Sequence, residues 1–181
     1  MRRMTGLLGL ALAAAALVAC SGDEATPTPA PTATASPTAT SAGLESVREV
    51  DLTDVVLLGP IIDHFGGGQV EPARTTYVDV TGDGREEAVL FVESGGTQGD
   101  VGVAVVQVDG GNASVLGYVP ASGRVELAQP EAGGGVIVTR EGIWKPGDAE
   151  CCPSELRERF YQWDGTAFAV TVDQVIPNPN R

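Results

Sequence analysis

The stretch VGVAVVQVDGGNASVLGYV, residues 101–119, decides the fold. Val101, Val103, Val105, Val106 and Val108 are β-branched and suit a pleated, packed surface. Asp109-Gly110-Gly111-Asn112 interrupts them with residues that accept tight backbone bends, and a second Val-rich run begins at Ser114. Two apolar runs joined by Gly and Asn predict an antiparallel hairpin.

The same pattern extends outward. Short Val-rich segments at 75–80, 88–92, 124–127, 135–139, 156–163 and 168–172 are separated by Gly, Pro, Asp and Asn clusters. No apolar period of 3.6 is sustained, although 44–58 suits a short helix. The expectation is a mostly β chain: one antiparallel meander, barrel or sandwich domain rather than alternating β and α units. A second hairpin is predicted at Trp163-Asp164-Gly165-Thr166, with Asp-Gly as a two-residue turn and the rings of Tyr161 and Phe168 opposite each other. No internal repeat occurs, which weighs against a propeller.

Upstream of this domain the composition changes twice. Arg2 and Arg3, an apolar run from about Leu7 to Val18 and the small residues before Cys20 describe an export signal. Its apolar run is far shorter than the roughly 20 residues that cross a bilayer. Leu17-Val18-Ala19-Cys20 resembles the lipobox of bacterial lipoproteins, which implies that Cys20 is acylated and becomes the mature N-terminus. Two acyl chains hold a soluble domain where one is marginal, each buried methylene contributing about 0.8 kcal/mol. The expected location is therefore the cell membrane, lipid-anchored, on its extracytoplasmic face.

Residues 21–43, ending ATPTPAPTATASPTATSAG, offer no large apolar side chains and predict a disordered tether. At about 3.1 Å per residue a Pro-rich tether spans on the order of 70 Å. The expected organisation is a signal over 1–19, a lipidated Cys and Thr/Pro/Ala-rich linker over 20–43, and one β-rich domain over 44–181. Loss of Arg2 and Arg3, with no acidic residue removed, takes the formal charge from −13 to −15. Such a surface repels nucleic acid and anionic lipid, so no nucleic-acid partner is expected.

Two motifs carry chemistry. In Asp79-Val80-Thr81-Gly82-Asp83-Gly84-Arg85-Glu86-Glu87, oxygens of Asp79, Thr81, Asp83 and Glu87 alternate with the Arg85 carbonyl between them. The segment resembles the D-x-N-G-D-G-x-x-D calcium loops of integrin-type propeller blades over nine residues, which implies a stabilising Ca2+ completed by water. The competing reading is a plain tight turn between two strands. No cofactor is otherwise required.

The second motif is Asp148-Ala149-Glu150-Cys151-Cys152-Pro153-Ser154. With Cys20 acylated, Cys151 and Cys152 are the remaining thiols, in a compartment that oxidises them. Neighbouring Cα atoms stand about 3.8 Å apart, below the usual disulfide range, so a bond between them closes a strained and more reducible ring. Three readings stand: a vicinal disulfide acting as a structural clip, two free or intermolecular thiols, and a redox switch. This turn, the aromatic strand after it, the lipobox and the Thr/Pro linker together resemble the LppP/LprE-type lipoproteins of mycobacteria and their relatives. The resemblance implies an exported envelope lipoprotein and carries over no catalytic residue.

His64, the sole histidine, lies in IIDHFGGG without a nucleophile motif, and neither Gly66-Gly67-Gly68 nor the loop 94–100 ends as a phosphate-binding loop does. The chain is therefore expected not to be an enzyme. The leading expectation is a binding domain for an envelope protein, glycan or small ligand, with Thr97 in the Gly-rich loop and Trp144 in the next exposed turn as candidate contacts. The alternatives are an envelope redox or hydrolytic enzyme and a passive structural component of the wall.

Overall fold

The computed structural model describes residues 43–128 and 134–180. The expected signal peptide, Cys20 and the linker to residue 42 lie outside the described residues. A 3-10 turn (Val47–Glu49) and helix α1 (Val55–His64) precede β1 (Gln69–Val70), a second 3-10 turn (Pro72–Arg74) and β2 (Thr76–Val78). There follow β3 (Glu87–Glu93), β4 (Asp100–Asp109), β5 (Asn112–Ala128), β6 (Val136–Ile143), β7 (Glu155–Trp163) and β8 (Phe168–Pro177).

These strands form one antiparallel sheet in the order β1-β3-β4-β5-β6-β7-β8, with β2 also on β3. The architecture is the mostly β meander expected, and the sheet is open rather than closed into a barrel.

The core lies on both faces of its first half. Val89 and Phe91 of β3, Val103 and Val105 of β4, and Val119 of β5 pack with Val125, Ile137 and Tyr161, so the later strands curl over this side. Ala88, Leu90, Val92, Ala104 and Val106 point the other way, against Val47, Leu52 and Ile61 of the N-terminal turn and helix. Double coverage explains why β3 reads as a continuous apolar run, EAVLFVE, rather than as an alternating one.

Three local expectations are corrected. The helix expected over 44–58 is divided into the 3-10 turn and α1, because side chains compete for the backbone between them. Ser46 caps Arg48, Asp51 accepts from the Thr53 amide, and Asp54 caps α1 by accepting from the Val56 amide.

The segments 114–119 and 124–127 belong to one strand, β5. Pro120 stands where the β4–β5 register shifts, between Gly102↔Pro120 and Asp100↔Gly123, so an apparent break is a bulge where the strand bends from β4 toward β6.

The last hairpin closes over four residues, with the Asp164 amide donating to the Ala167 carbonyl. Trp163, not Tyr161, faces Phe168, and Tyr161 pairs with Val170. The Asp164 carboxylate widens the turn by accepting from the amides of Thr166 and Ala167.

Strand pairing and the bend in β5 divide the connections between two ends of the sheet: beyond the bend the chain turns back, the Gly135 amide donating to the Asp79 carbonyl at 2.7 Å and Phe168 lying against Gly117. The β2–β3 turn around Asp79, the β4–β5 turn at Gly110 and Gly111, and the Asp164 turn lie at one end. Leu44 is tied to that end, its amide donating to the Gly111 carbonyl at 3.0 Å. The β3–β4 loop containing Thr97, the β6–β7 connection containing Trp144 and the cysteines, and the tail after β8 lie at the other end.

Candidate functional site

The Asp79 loop connects β2 to β3. Gly82 and Gly84 take φ values of 80° and 88°, and that curl aims their amides at one carboxylate. Asp79 Oδ1 accepts from Gly82 N at 2.6 Å and Oδ2 from Gly84 N at 2.9 Å. Burial acts to raise the Asp79 carboxyl, but the amides of Gly82 and Gly84 with the Thr81 hydroxyl outweigh it and hold it below the usual range.

Glu87 is buried, and its Oε2 accepts from Val80 N at 2.9 Å and Thr81 N at 3.3 Å. Desolvation pushes this carboxyl up, its two amide donors oppose the change, and Asp83 and Asp79 nearby add to it. Asp83 caps the Arg85 amide, and Arg85 reaches the Val108 carbonyl. The carboxylates thus serve amides rather than converge on a common point. Among the described residues no three His, Cys, Asp or Glu side chains are grouped as a metal ion requires. The loop's own amides thus staple the turn through Asp79, Asp83 and Glu87.

At the opposite end the β6–β7 connection is held together by several bonds of its own. Asp148 Oδ2 accepts from Lys145 N at 2.8 Å, Ser154 N at 2.8 Å and Ser154 Oγ at 2.7 Å, which pins both ends of the connection. Inside it, the Cys152 amide donates to the Ala149 carbonyl at 2.9 Å. From the tail, Asn178 donates through Nδ2 to the Pro153 carbonyl at 2.8 Å and through its amide to the Ser154 carbonyl at 2.9 Å. Cys151 and Cys152 form a vicinal disulfide, with Cα atoms 3.8 Å apart.

Trp144 is 54% exposed yet fixed in place. Its indole N–H donates to the Glu150 carbonyl at 3.1 Å, and its ring lies across Gly142. A Cβ at Gly142 would sit 2.5 Å from the ring and 2.9 Å from Pro153, so only glycine lets the indole rest there.

Next to this turn an open cavity of about 300 Å³ is lined by the disulfide, Pro153, Arg124, Arg140 and the tail residues Asn178 and Asn180, among others. Arg140 is engaged by Glu126 and by Glu158, the latter at 2.8 Å. Arg124 bonds Glu126 through Nε at 2.9 Å and is otherwise exposed. Across the same strands, Gln174 donates to Glu158 at 2.9 Å. That bond first, and Arg140 second, hold the Glu158 carboxyl below its usual range against the opposing effect of burial.

The structure therefore brings together two features that are separate in the sequence, Trp144 and the cysteine pair. Thr97 is exposed in the β3–β4 loop at the same end, a loop closed by the Ser94 amide donating to the Gly99 carbonyl. His64 is elsewhere: its ring stacks on Tyr118 of β5 with centroids 3.7 Å apart and meets Phe65 edge-on. His64, the Asp79 loop and the cysteine turn do not converge.

No family model, curated protein or solved structure matches the chain.

Arg124, Arg140, Asn178 and Asn180 are not legible in the sequence as site residues. They reach the cysteine turn only through the pairing of β5 with β6 and of β7 with β8. A second unannounced cluster lies near Thr97. Arg74 is held charged chiefly by Asp100 and also by Glu93, and it lies over the Phe91 ring at 4.6 Å. Buried Asp100 also accepts from the Val125 amide at 3.1 Å, so this group fastens the β5 bend and leaves no charge unpaired.

Proposed function

We propose that this chain is a lipid-anchored cell-envelope protein of the LppP/LprE type, a non-catalytic binding domain carried on the extracytoplasmic face of a bacterial membrane. The observation that carries the reading is the polarity of the sheet. The chain enters at Leu44 beside Gly111, whereas Trp144, the cysteine turn and Thr97 lie at the far end.

The end at Leu44 is occupied by the chain's own entry, and the end at Trp144 is clear of it. There a fixed, half-exposed indole and an adjoining cavity offer the rigid contact surface that binding needs at low entropic cost. The cavity is lined by planar polar groups of Arg124 and Asn180 and by apolar groups of Pro153 and Leu156, a mixture suited to a glycan or another small polar ligand.

Two measurements test the reading. Mass spectrometry of the membrane-derived chain is expected to find a mature N-terminus at Cys20 carrying acyl chains, and an intact, unmodified Met1 peptide would refute the anchor. Capture of envelope components is expected to weaken about tenfold or more in Trp144→Ala while circular dichroism is unchanged. Equal capture by the two forms would remove the site from this end.

A further inference from the structure

We propose that Cys151–Cys152 is a two-electron exchange site for a dithiol, and that the cavity beside it is the route by which the dithiol arrives. A disulfide stabilises mainly by shortening the loops open to the unfolded chain, and one between adjacent residues encloses no loop at all. Nor does the turn depend on it. Asp148 joins Lys145 to Ser154, Cys152 bonds Ala149, and Asn178 holds Pro153 and Ser154, all without the sulfurs. The structural-clip reading therefore lacks a physical basis.

What the bond has instead is access and a favourable electrostatic setting. Cys151 is exposed, Cys152 is half-buried, and both line the open cavity with Arg124 and Arg140. Arg140 is neutralised by Glu126 and Glu158, so the cation that can draw in a thiolate is Arg124, which bonds Glu126 through Nε and is otherwise exposed at the mouth of the cavity.

One thiolate of the dithiol attacks exposed Cys151 Sγ, forming a mixed disulfide and expelling the Cys152 thiolate, which takes up a proton. The second thiolate of the dithiol then attacks its own sulfur in the mixed disulfide, closing the dithiol into a disulfide and releasing Cys151 as a thiol after protonation. Two electrons and two protons pass from the dithiol to the pair.

Trp144 reports the event, because its indole is bonded to Glu150, the residue immediately before Cys151. Trp163, the other tryptophan, packs on Phe168 at the opposite end of the sheet and can be removed as background.

The test uses the full chain carrying Cys20→Ser and Trp163→Phe, titrated with dithiothreitol, quenched with an alkylating agent and weighed. Expected are no alkylation before reductant, alkylation of both cysteines in the folded protein, and a Trp144 fluorescence change with the same midpoint. Arg124→Gln should slow the reduction by about three- to tenfold at low salt, an effect lost at high salt. Cys151→Ser with Cys152→Ser should shift the melting temperature by no more than about 3 °C.

Labelling of both thiols without reductant would overturn the proposal. So would a disulfide that yields only as the domain unfolds, or a large fall in melting temperature in the double variant.

Discussion

Asp79 shows how one carboxylate organises a loop. Its two oxygens close the turn by accepting from Gly82 and Gly84, so Asp79→Ala leaves two amides without their charged acceptor and should cost about 1–2 kcal/mol in denaturant unfolding. Millimolar calcium separates the two readings of this loop: a raised melting temperature of the unmodified chain is the result the ion reading expects, and an unchanged one the result the plain turn expects. Glu87 adds a pH signature of opposite sign to that of Asp79. Its carboxyl is raised by burial, so its contribution is complete below the ordinary glutamate value and is lost as pH rises through the folded value. Asp79 is depressed, so its contribution is present above 3.8 and is lost as pH falls through its folded value. Glu87→Gln keeps an acceptor for Val80 and should flatten the decline of stability above pH 4.5, measured by urea unfolding at a series of pH values. A decline as steep as in the unmodified chain would assign it to other groups.

Among the elements, β3 is the one on which the rest depends. Leu90 is fully buried on the helix-covered face while Val89 and Phe91 fill the other, so Leu90→Ala should cost about 2–5 kcal/mol, read by thermal or urea unfolding. A loss below 1 kcal/mol would mean that the helix layer contributes little to the core. The strands were legible in the sequence because Val-rich runs and Gly/Asp breaks state their own period. The helix boundary was less so, since Asp51 and Asp54 decide it through side-chain bonds that no apolar pattern reveals. Pro120 misled for a definite reason: a proline without a neighbouring strand is a break, whereas at a bulge between β4 and β6 it costs no ladder bond. The cysteine turn announced itself by composition. Its partners Arg124, Arg140 and Asn178 did not, because cross-strand register is set by the whole meander.

At the scale of the whole molecule, we propose that the two ends of the sheet do different work, one receiving the chain at Leu44 and the other meeting a ligand. Among the described residues no helix is long and apolar enough to cross a membrane, and the attachment we propose is through Cys20. The acidic balance of the chain keeps the domain off anionic surfaces and favours reach over adhesion. The most direct measurement is site-specific photocrosslinking in intact cells, with the reactive group placed at Thr97 or Trp144 in one set of chains and at Gly110 or Asp164 in another. The account predicts discrete, reproducible crosslinks from the Thr97 and Trp144 positions and none above background from the other two. Crosslinks concentrated at Gly110 and Asp164 would contradict it.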